Sequence, residues 1–390
     1  MHNRIYADYA SATPISRSVR SVMRKHSANT FGNPSAPHAE GVAAREVLEN
    51  ARKNIAQYLS VQAREIVFTS GGTESNTLAC IGYIEALAQD GRAYQDMHVI
   101  TSTIEHSTIL NACAALERRG VRVTYVSPDA EGIIQPRSIQ KALTPQTVFV
   151  SIQYVNSEIG TIMPLRAIAR EIRKAHPTVA FHTDAAQAPL FCSLQLQSLG
   201  VDMLSLDGQK MCGPRGSGVF VVKSHIIIAP ILFGGAQEDG RRPGTENVVF
   251  AAGIAQAFSE AQEKRDTRSA HIKDLRDELT EALVGLGAIV NGSREHRVAN
   301  NVNVSFPGVD TEYLMMLLDA DGIAVSTKSA CEGTTGTRSS VVYALGQDEA
   351  RARATLRITL GPDISKRDIK RIVRSCKKHL DFLTHTTIEG

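Results

Sequence analysis

The sequence predicts an α/β protein: a large domain built on a mainly parallel, seven-stranded sheet with helices on both faces, followed by a smaller α+β domain. Short β-branched runs alternate with longer helical patterns between residues 64 and 223, which is typical of a parallel sheet covered by helices. A chain of 390 residues, 43% of them hydrophobic, can also bury a sizeable core. The seven strand-like runs are EIVFTS, HVITS, VRVTYVS, TVFVSIQYV, VAFHTDA, DMLSLD and GVFVVK.

A charged helical stretch, SEAQEKRDTRSAHIKDLRDELTEAL, separates this region from three further strand-like runs, NVNVSF, GIAVST and TLRITL. We place the domain boundary in that helix, which gives a large domain of residues 15–258 and a smaller one of residues 259–390. Periodicity does not decide where residues 1–14 pack, and the smaller domain is their first candidate.

Composition and charge exclude several classes of function. The net charge of +3 is spread without a long basic run, so we expect no direct nucleic-acid binding. The amino terminus lacks the apolar core of a signal peptide, and the most apolar stretch is interrupted by Lys223, Ser224 and His225, so we expect no membrane segment. Six cysteines are scattered without the CxxC pairs of a zinc site. These features predict a soluble protein of the reducing cytoplasm without a metal.

Two adjacent glycines mark the first candidate site. In SGGTESN a strand ends at a Gly-Gly turn, and a helix begins there with Gly72, Thr73 and Glu74. The free N–H groups of a helix start bind anions, and glycine lets a phosphate approach the main chain closely. A tight turn with a threonine cap explains the same residues equally well.

Two polar residues follow neighbouring strands of the predicted sheet. Asp184 ends VAFHTDA, where a carboxylate could keep a pyridinium nitrogen protonated, although a solitary aspartate at a strand end is more often a cap. Lys210 follows the next strand, just before a glycine-rich bend, where its amine is placed for a Schiff base. Surface lysines are far commoner than catalytic ones. The order of phosphate turn, aspartate and lysine is nevertheless that of the aspartate-aminotransferase-like enzymes, which use pyridoxal 5′-phosphate (PLP).

Further motifs extend this likeness over nearly the whole chain. The chain resembles the class V branch of the PLP enzymes of fold type I, and within it the cysteine desulfurases that supply sulfur for iron–sulfur clusters and thiolated tRNA. The resemblance implies PLP as cofactor, L-cysteine as substrate, a homodimer, and a sulfur-acceptor protein such as an iron–sulfur scaffold or a thiolation enzyme. The matching motifs are YADYASATP, FGNPSAPH, SGGTESN, EHSTIL, YVNSEIG, HTDAAQ, GQKMCGPRGSG, RRPGTEN, SACEG and LRITLG.

The resemblance also implies a role for individual residues. Thr245 would reach the phosphate of the neighbouring subunit, which is why a homodimer is implied. Taken singly, His106 is equally well a structural histidine, Asn156 a turn residue and Arg357 half of an ion pair. The implied roles are phosphate binding by Gly72 and Thr73, ring stacking and catalysis by His106, pairing with the ring nitrogen by Asp184, contact with the ring hydroxyl by Gln187, cofactor attachment and proton abstraction by Lys210, and binding of the substrate carboxylate by Asn156 and Arg357.

Cys331 is the predicted acceptor of sulfur. It lies in VSTKSACEGTTGTRSS, a run of small, polar and glycine residues that predicts a mobile loop. A nucleophilic thiol must be exposed and partly ionised, and the neighbouring Lys328 could lower its pKa. The match of SAC to the persulfide site of the desulfurases favours this role over an ordinary free cysteine. Cys80, Cys113 and Cys376 fall in helical patterns and are expected to be structural, and the role of Cys212 stays open.

The chain departs from the family at Asp207 and Gln209, where the desulfurases usually have a serine and a histidine that hold the phosphate. An ionised carboxylate about 4 Å from a phosphate is repelled by about 1 to 4 kcal/mol, so we expect PLP affinity to be lower than usual for the family. Two arrangements would compensate: an arginine, namely Arg241, Arg242 or Arg215, pairing with Asp207, or a carboxylate that points away from the phosphate.

Two groups of alternatives remain at this point. Another PLP enzyme of the same fold, such as a selenocysteine lyase or an aminotransferase, would share most of these motifs. An aminotransferase needs no loop thiol, so Cys331 argues against that activity. The second alternative is a binding protein that kept the fold but lost PLP, and it is motivated by Asp207 and Gln209.

Overall fold

The computed structural model describes residues 4–327 and 338–386. Its helices are α1 (Arg17–Asn29), α2 (Ala39–Leu59), α3 (Gly72–Thr77), α4 (Tyr83–Gln89), α5 (Ser107–Arg118), α6 (Pro136–Ala142), α7 (Leu165–Ala175), α8 (Leu196–Leu199), α9 (Val248–Glu263), α10 (Arg265–Val284), α11 (Thr311–Ala320), α12 (Ser340–Ala344), α13 (Glu349–Arg353) and α14 (Lys366–Thr386). Its strands are β1 (Ile5–Tyr6), β2 (Ile66–Thr69), β3 (His98–Ser102), β4 (Arg122–Val126), β5 (Thr147–Ser151), β6 (Ala180–Asp184), β7 (Met203–Asp207), β8 (Gly218–Val222), β9 (Ile289–Val290), β10 (Asn301–Ser305), β11 (Ile323–Ala324) and β12 (Thr355–Thr359).

Seven strands form the main sheet, in the order β2-β8-β7-β6-β5-β3-β4. Each lies within one of the seven strand-like runs, so the predicted sheet is confirmed. The pairs from β7 to β4 are parallel, while β8 runs antiparallel to both β7 and β2. Consequently β2 points the same way as the parallel strands, and only β8 is reversed.

Helices cover both faces of this sheet because its strands carry apolar side chains on both sides. Ile66 and Phe68 of β2 belong to one buried cluster with residues of α2, α7 and α9, whereas Val67 belongs to a second cluster with residues of α4 and α5. Successive side chains of a strand point to opposite faces, which explains the division. Within the described ranges, no helix combines the length and the apolar character needed to cross a membrane.

A third buried cluster lies in the carboxyl-terminal part of the chain, around an antiparallel sheet in the order β12-β10-β9. Ile5 and Ala7 pack into this cluster, and β1 pairs in parallel with β11. The charged helical stretch is interrupted at Lys264, whose ψ of 5° separates α9 from α10. The amino-terminal segment thus packs with residues that lie more than 250 positions later in the chain.

The order and direction of the strands bring several loops to one edge of the main sheet. The segments that follow β2, β3, β5, β6 and β7 all leave from the carboxyl ends of strands that point the same way. Such an edge is where open α/β sheets bind ligands.

A buried ion pair anchors the strand that leads into the glycine turn. The Arg52 guanidinium donates to both carboxylate oxygens of Glu238, each at 2.8 Å, and also to the carbonyl oxygen of Ile66 at 2.6 Å. Glu238 accepts a further bond at 3.0 Å from the backbone N–H of Phe68. The pair therefore connects α2 to β2 two residues before the turn begins.

Candidate functional site

A cleft of about 160 Å³ opens at the carboxyl edge of the main sheet. Its walls come from the amino-terminal segment, from the loops after β2, β3, β5, β6 and β7, and from β12. Nine of the residues singled out from the sequence line it: Gly72, Thr73, His106, Asp184, Gln187, Asp207, Gln209, Lys210 and Arg357.

The glycine turn forms one end of the cleft. Gly71 has a φ of +154° and precedes the first turn of α3. The first residue of β8 must also be glycine, because a Cβ at Gly218 would lie only 2.6 Å from the carbonyl carbon of Gly71. The turn is therefore held close to β8, and Gly72 and Thr73 present the start of α3 to the cleft.

Asp207 points into this turn. Its Oδ2 accepts a bond from the backbone N–H of Gly72 at 3.3 Å, and its Oδ1 accepts one from the backbone N–H of Gln209 at 3.0 Å. The side-chain amide of Gln209 also donates to Asp207, at 3.3 Å. The carboxylate thus lies where the family resemblance implies side chains that hold the phosphate.

Neither form of compensation considered for Asp207 is present among the described residues. Arg242 pairs with Glu74 at 2.9 Å, Arg241 contacts Asp239, and Arg215 is exposed and makes no ion pair with Asp207. The carboxylate also does not point away from the turn. Instead of either arrangement, Asp207 accepts from the backbone N–H of Gly72, the first residue of α3.

Asn76 and Thr108 link Asp184 to His106, the two residues predicted to contact the nitrogen and the face of the cofactor ring. One N–H of its side-chain amide donates to Asp184 Oδ2 at 2.7 Å, and the amide also donates to the Thr108 hydroxyl at 2.9 Å. The Thr108 hydroxyl lies 3.0 Å from His106 Nδ1. Asp184 is held on its other oxygen by the backbone N–H of Ala186 at 2.9 Å. Sequence reasoning assigned no role to Asn76 or Thr108, although Asn76 belongs to the quoted motif SGGTESN.

His106 caps the amino terminus of α5. Its Nδ1 accepts a bond from the backbone N–H of Thr108 at 3.3 Å. In the neutral imidazole this bond leaves the proton on Nε2, since Nδ1 must present its lone pair. Capping thus fixes both the orientation of the ring and its tautomer.

Glu105, the residue before His106, is buried and was not recognised from the sequence. Its carboxyl group accepts bonds from the Ser102 hydroxyl at 2.5 Å and from the backbone N–H of Gln153 at 2.9 Å. Burial raises the pKa of Glu105 to about 8, with a further contribution from the negative charge of Asp184. Glu105 therefore joins the loop after β3, which carries His106, to the loop after β5.

Lys210 ends a single turn of 3₁₀ helix after β7. Its amine donates to the carbonyl oxygens of Ala10 at 2.7 Å and Ser11 at 2.6 Å. The side-chain amide of Gln187 donates to the same Ala10 carbonyl at 2.9 Å. The motif YADYASATP, which supports the family resemblance, thus forms part of the wall of the cleft.

Arg357 projects from β12 into the cleft and is almost fully buried. Its Nη2 donates to Asp8 Oδ1 at 2.9 Å and to the Ser11 hydroxyl at 2.7 Å, and its Nη1 donates to the Ser157 carbonyl at 3.1 Å. The buried Nε has no hydrogen-bond partner among the described residues. The guanidinium is therefore positioned at the wall of the cleft by the amino-terminal segment.

Two of the predicted residues lie away from the cleft lining. The Asn156 side chain is buried in its own loop, donating to the Ile104 carbonyl at 3.1 Å and accepting from the N–H groups of Glu158 and Ile159 at 2.9 Å. Its binding of a substrate carboxylate stays a prediction that these contacts do not support. Thr245 is exposed at the surface of the chain, beside a separate depression lined by Ser70 and Arg242.

The predicted nucleophile, Cys331, and Lys328 lie outside the described residues. Cys80, Cys113 and Cys376 are buried in helical segments, as expected of structural residues. Cys212 adjoins the lysine turn with a φ of +62°, and burial raises the pKa of its thiol. A raised pKa leaves less thiolate, so Cys212 is poorly suited to act as a nucleophile.

Comparison with known proteins places these features in a family. The family model for aminotransferase class-V matches residues 5–372. The cysteine desulfurase IscS of Dictyoglomus turgidum is 37% identical over 371 residues, which cover 95% of this chain and 92% of that protein.

Two solved structures are similar along nearly their whole length. A "NifS-like protein" has a TM-score of 0.91 and 31% identity, and the match covers 98% of this chain and all of that one. A structure described as SspA in complex with cysteine has a TM-score of 0.80 and 33% identity, covering 92% and 99% of the two chains. The resemblance inferred from the motifs is confirmed, and the chain belongs to the class-V aminotransferase family.

Proposed function

We propose that this protein is a PLP-dependent cysteine desulfurase, which converts L-cysteine to L-alanine and receives the sulfur on Cys331 as a persulfide. The observation that carries the proposal is the convergence of the Lys210 amine, the Asp184 carboxylate and the Arg357 guanidinium in one cleft. The chain also belongs to a PLP-dependent family, and a named cysteine desulfurase is among the proteins similar to it. Both findings support the same conclusion.

The residues of the cleft fit PLP and an amino acid. Asp184 offers a buried carboxylate for the ring nitrogen, and Lys210 offers a primary amine for covalent attachment. Gly72 and Thr73 would hold the phosphate at the start of α3, with His106 and Gln187 at the ring. Arg357 lines the cleft and would bind a substrate carboxylate through its guanidinium group.

Each of these residues has a separate role in the reaction. When bound, PLP supplies an electron sink for the pair left behind as the substrate loses its α-proton. Arg357 binds the carboxylate of L-cysteine and thereby orients Cα. The amine of Lys210 removes the α-proton and later returns a proton to Cα. The Asp184 carboxylate, oriented by Asn76 and the Ala186 N–H, stabilises the proton on the ring nitrogen.

Sulfur transfer is balanced without an external oxidant. The Cys331 thiolate attacks the sulfur of the substrate, so that a new S–S bond forms while the Cβ–S bond breaks. Cβ retains the electron pair of the broken bond and takes up the proton that Cys331 lost. The products are alanine and a persulfide on Cys331, which is consumed by a sulfur acceptor.

The proposal also covers the oligomeric state, the cellular location and the sulfur acceptor. We propose a homodimer in the cytoplasm, in which Thr245 of each subunit contributes to the phosphate site of the other. The exposure of Thr245 supports this arrangement, as does that of two large apolar side chains, Phe31 and Phe233, which are 82% and 94% exposed in the single chain. The acceptor we propose is an iron–sulfur scaffold protein or a thiolation enzyme.

The absorption spectrum of the purified protein, recorded before and after cysteine is added, tests the proposal together with assays of alanine and of sulfide released by a thiol reductant. We expect visible absorption from bound PLP that changes with cysteine. Cys331→Ala should abolish sulfide release, and Cys212→Ala serves as the matched control that retains it.

Each outcome distinguishes the alternatives. A protein that stays colourless in excess PLP would contradict the proposal and favour a binding protein without cofactor. Sulfide release that survives Cys331→Ala would remove the persulfide step. A rate with selenocysteine far above that with cysteine would identify a selenocysteine lyase instead.

A further inference from the structure

We infer that Asp207 acts as an internal anion that occupies the phosphate end of the cleft and competes with the phosphate of the cofactor. The inference rests on the proposed function, because it concerns how the same cleft takes PLP. It assigns to Asp207 a definite effect, which is to stabilise the protein without cofactor and to weaken its affinity for a phosphorylated ligand.

Asp207 makes the kind of hydrogen bonds that a bound phosphate would make. Its two oxygens accept from the backbone N–H of Gly72, the backbone N–H of Gln209 and the side-chain amide of Gln209. The N–H groups of a helix start followed by polar side-chain donors are what a bound phosphate requires. The carboxylate therefore uses donors that the cofactor would need.

Asp207 also lies very close to the glycine turn. A Cβ built on Gly72 would lie 3.3 Å from Asp207 Oδ2 and 3.4 Å from Asp207 Cβ. Both residues line the cleft. A phosphate that approached the Gly72 N–H would meet the carboxylate within a few ångströms, so the two anions cannot share the turn without repulsion.

Two charged side chains beside the glycine turn, those of Glu74 and Arg242, pair with each other rather than with Asp207. Glu74, at the start of α3, accepts from the Ser70 N–H at 2.6 Å and from Arg242 at 2.9 Å. Its carboxylate adds a second negative charge near the turn and takes up the guanidinium that could have neutralised Asp207. The described residues place no cation within ion-pair distance of Asp207.

The experiment measures PLP and pyridoxal affinity by absorbance titration of the full-length apoprotein, together with its melting temperature. Asp207→Ser removes the charge and the acceptor pair, whereas Asp207→Asn removes the charge and keeps an oxygen that accepts from Gly72. Asp266→Ser is the matched control, since it removes one negative charge at an exposed position in α10. Pyridoxal, which lacks the phosphate, separates an effect on the anion from an effect on the ring.

We expect both substitutions of Asp207 to lower the dissociation constant of PLP by at least about fivefold, with pyridoxal affinity unchanged. The melting temperature of the apoprotein should fall in Asp207→Ser and should rise again when inorganic phosphate is added. Asp266→Ser should match the wild type in every measurement.

Equal PLP affinity in the wild type and both variants would overturn the inference while leaving the proposed function intact. A gain for pyridoxal as large as that for PLP would also overturn it, because the effect would then be steric. If no variant binds PLP at all, the proposed function fails and the inference fails with it.

Discussion

Replacing Glu238 by glutamine should destabilise the protein by about 3 kcal/mol, since it leaves the Arg52 guanidinium without its counter-charge in the interior. The Glu238 side chain is 1% exposed and that of Arg52 is 10% exposed. Two bonds of 2.8 Å join them, and Glu238 also accepts from the Phe68 N–H. Glutamine has only one accepting oxygen. Its NH₂ group, which is itself a donor, would therefore face a donor of Arg52 or of the backbone.

An exposed pair provides the control for this magnitude. Arg294 and Glu281 are joined at the same 2.8 Å, but their side chains are 56% and 65% exposed. Because solvent screens such a pair, Glu281→Gln should cost at most about 1 kcal/mol. The two pairs share the same shortest distance and the same charges, but the Glu238 pair is buried and makes more hydrogen bonds.

Urea unfolding at one fixed protein concentration measures both free energies. The double substitution Arg52→Met with Glu238→Leu should recover much of the loss, since it removes both buried charges. Equal losses for Glu238→Gln and Glu281→Gln would refute the argument from burial. The argument would also be refuted if the double variant lost as much unfolding free energy as the Arg52→Met and Glu238→Leu single variants lose together.

Three further outcomes are expected. Burial lowers the pKa of His182 to about 3, so the folded state binds fewer protons than the unfolded state below pH 6.5. Stability should therefore be full above pH 6.5 and fall by up to about 1.4 kcal/mol per pH unit toward pH 3, and His182→Gln should lose that slope in urea unfolding. Asp8→Asn should lower the KM for cysteine severalfold in steady-state assays, because Arg357 would no longer share its charge with a neighbouring carboxylate. Asn76→Ala should cost about 1.5 to 3 kcal/mol of unfolding free energy, since it removes a buried bond to the charged Asp184.

Each of these has its own control. The His182 prediction would be contradicted if His182→Gln and the wild type lost the same unfolding free energy between pH 7 and pH 5. For the second, Ser11→Ala removes a bond to Arg357 but no charge, so a similar fall in KM would show that charge is not the cause. For the third, Asn29 is exposed and donates to a helix carbonyl, and Asn29→Ala should change stability by less than about 0.5 kcal/mol.

The strands could be predicted because their signal is local. A run such as TVFVS or GVFVV is buried on both faces in a mainly parallel sheet, and such burial selects a nearly continuous run of apolar residues, many of them valine. The edge at which Asp184 and Lys210 meet follows from the same reasoning, since both come after strands that point the same way. The short strands β1 and β9 were missed because two residues carry no period.

The partners within the cleft could not be predicted in the same way. Arg357 lies 349 residues from Asp8, and Lys210 lies 200 residues from Ala10. Nothing in the local pattern of either segment specifies such a contact. The motif YADYASATP signalled that these residues matter, but not that they position a lysine and an arginine.

The sequence by itself determined the seven strands, their mainly parallel arrangement and the family, because periodicity, apolar runs and ordered motifs are properties of neighbouring residues along the chain. Only the tertiary structure decided which way Asp207 points, that Asn76 links Asp184 to Thr108, and that the amino-terminal segment closes the cleft. Those features depend on which hydrogen-bond donors lie nearest in space once distant segments have packed together, and the free N–H of Gly72 becomes the partner of Asp207 only when β2 and β7 share a sheet.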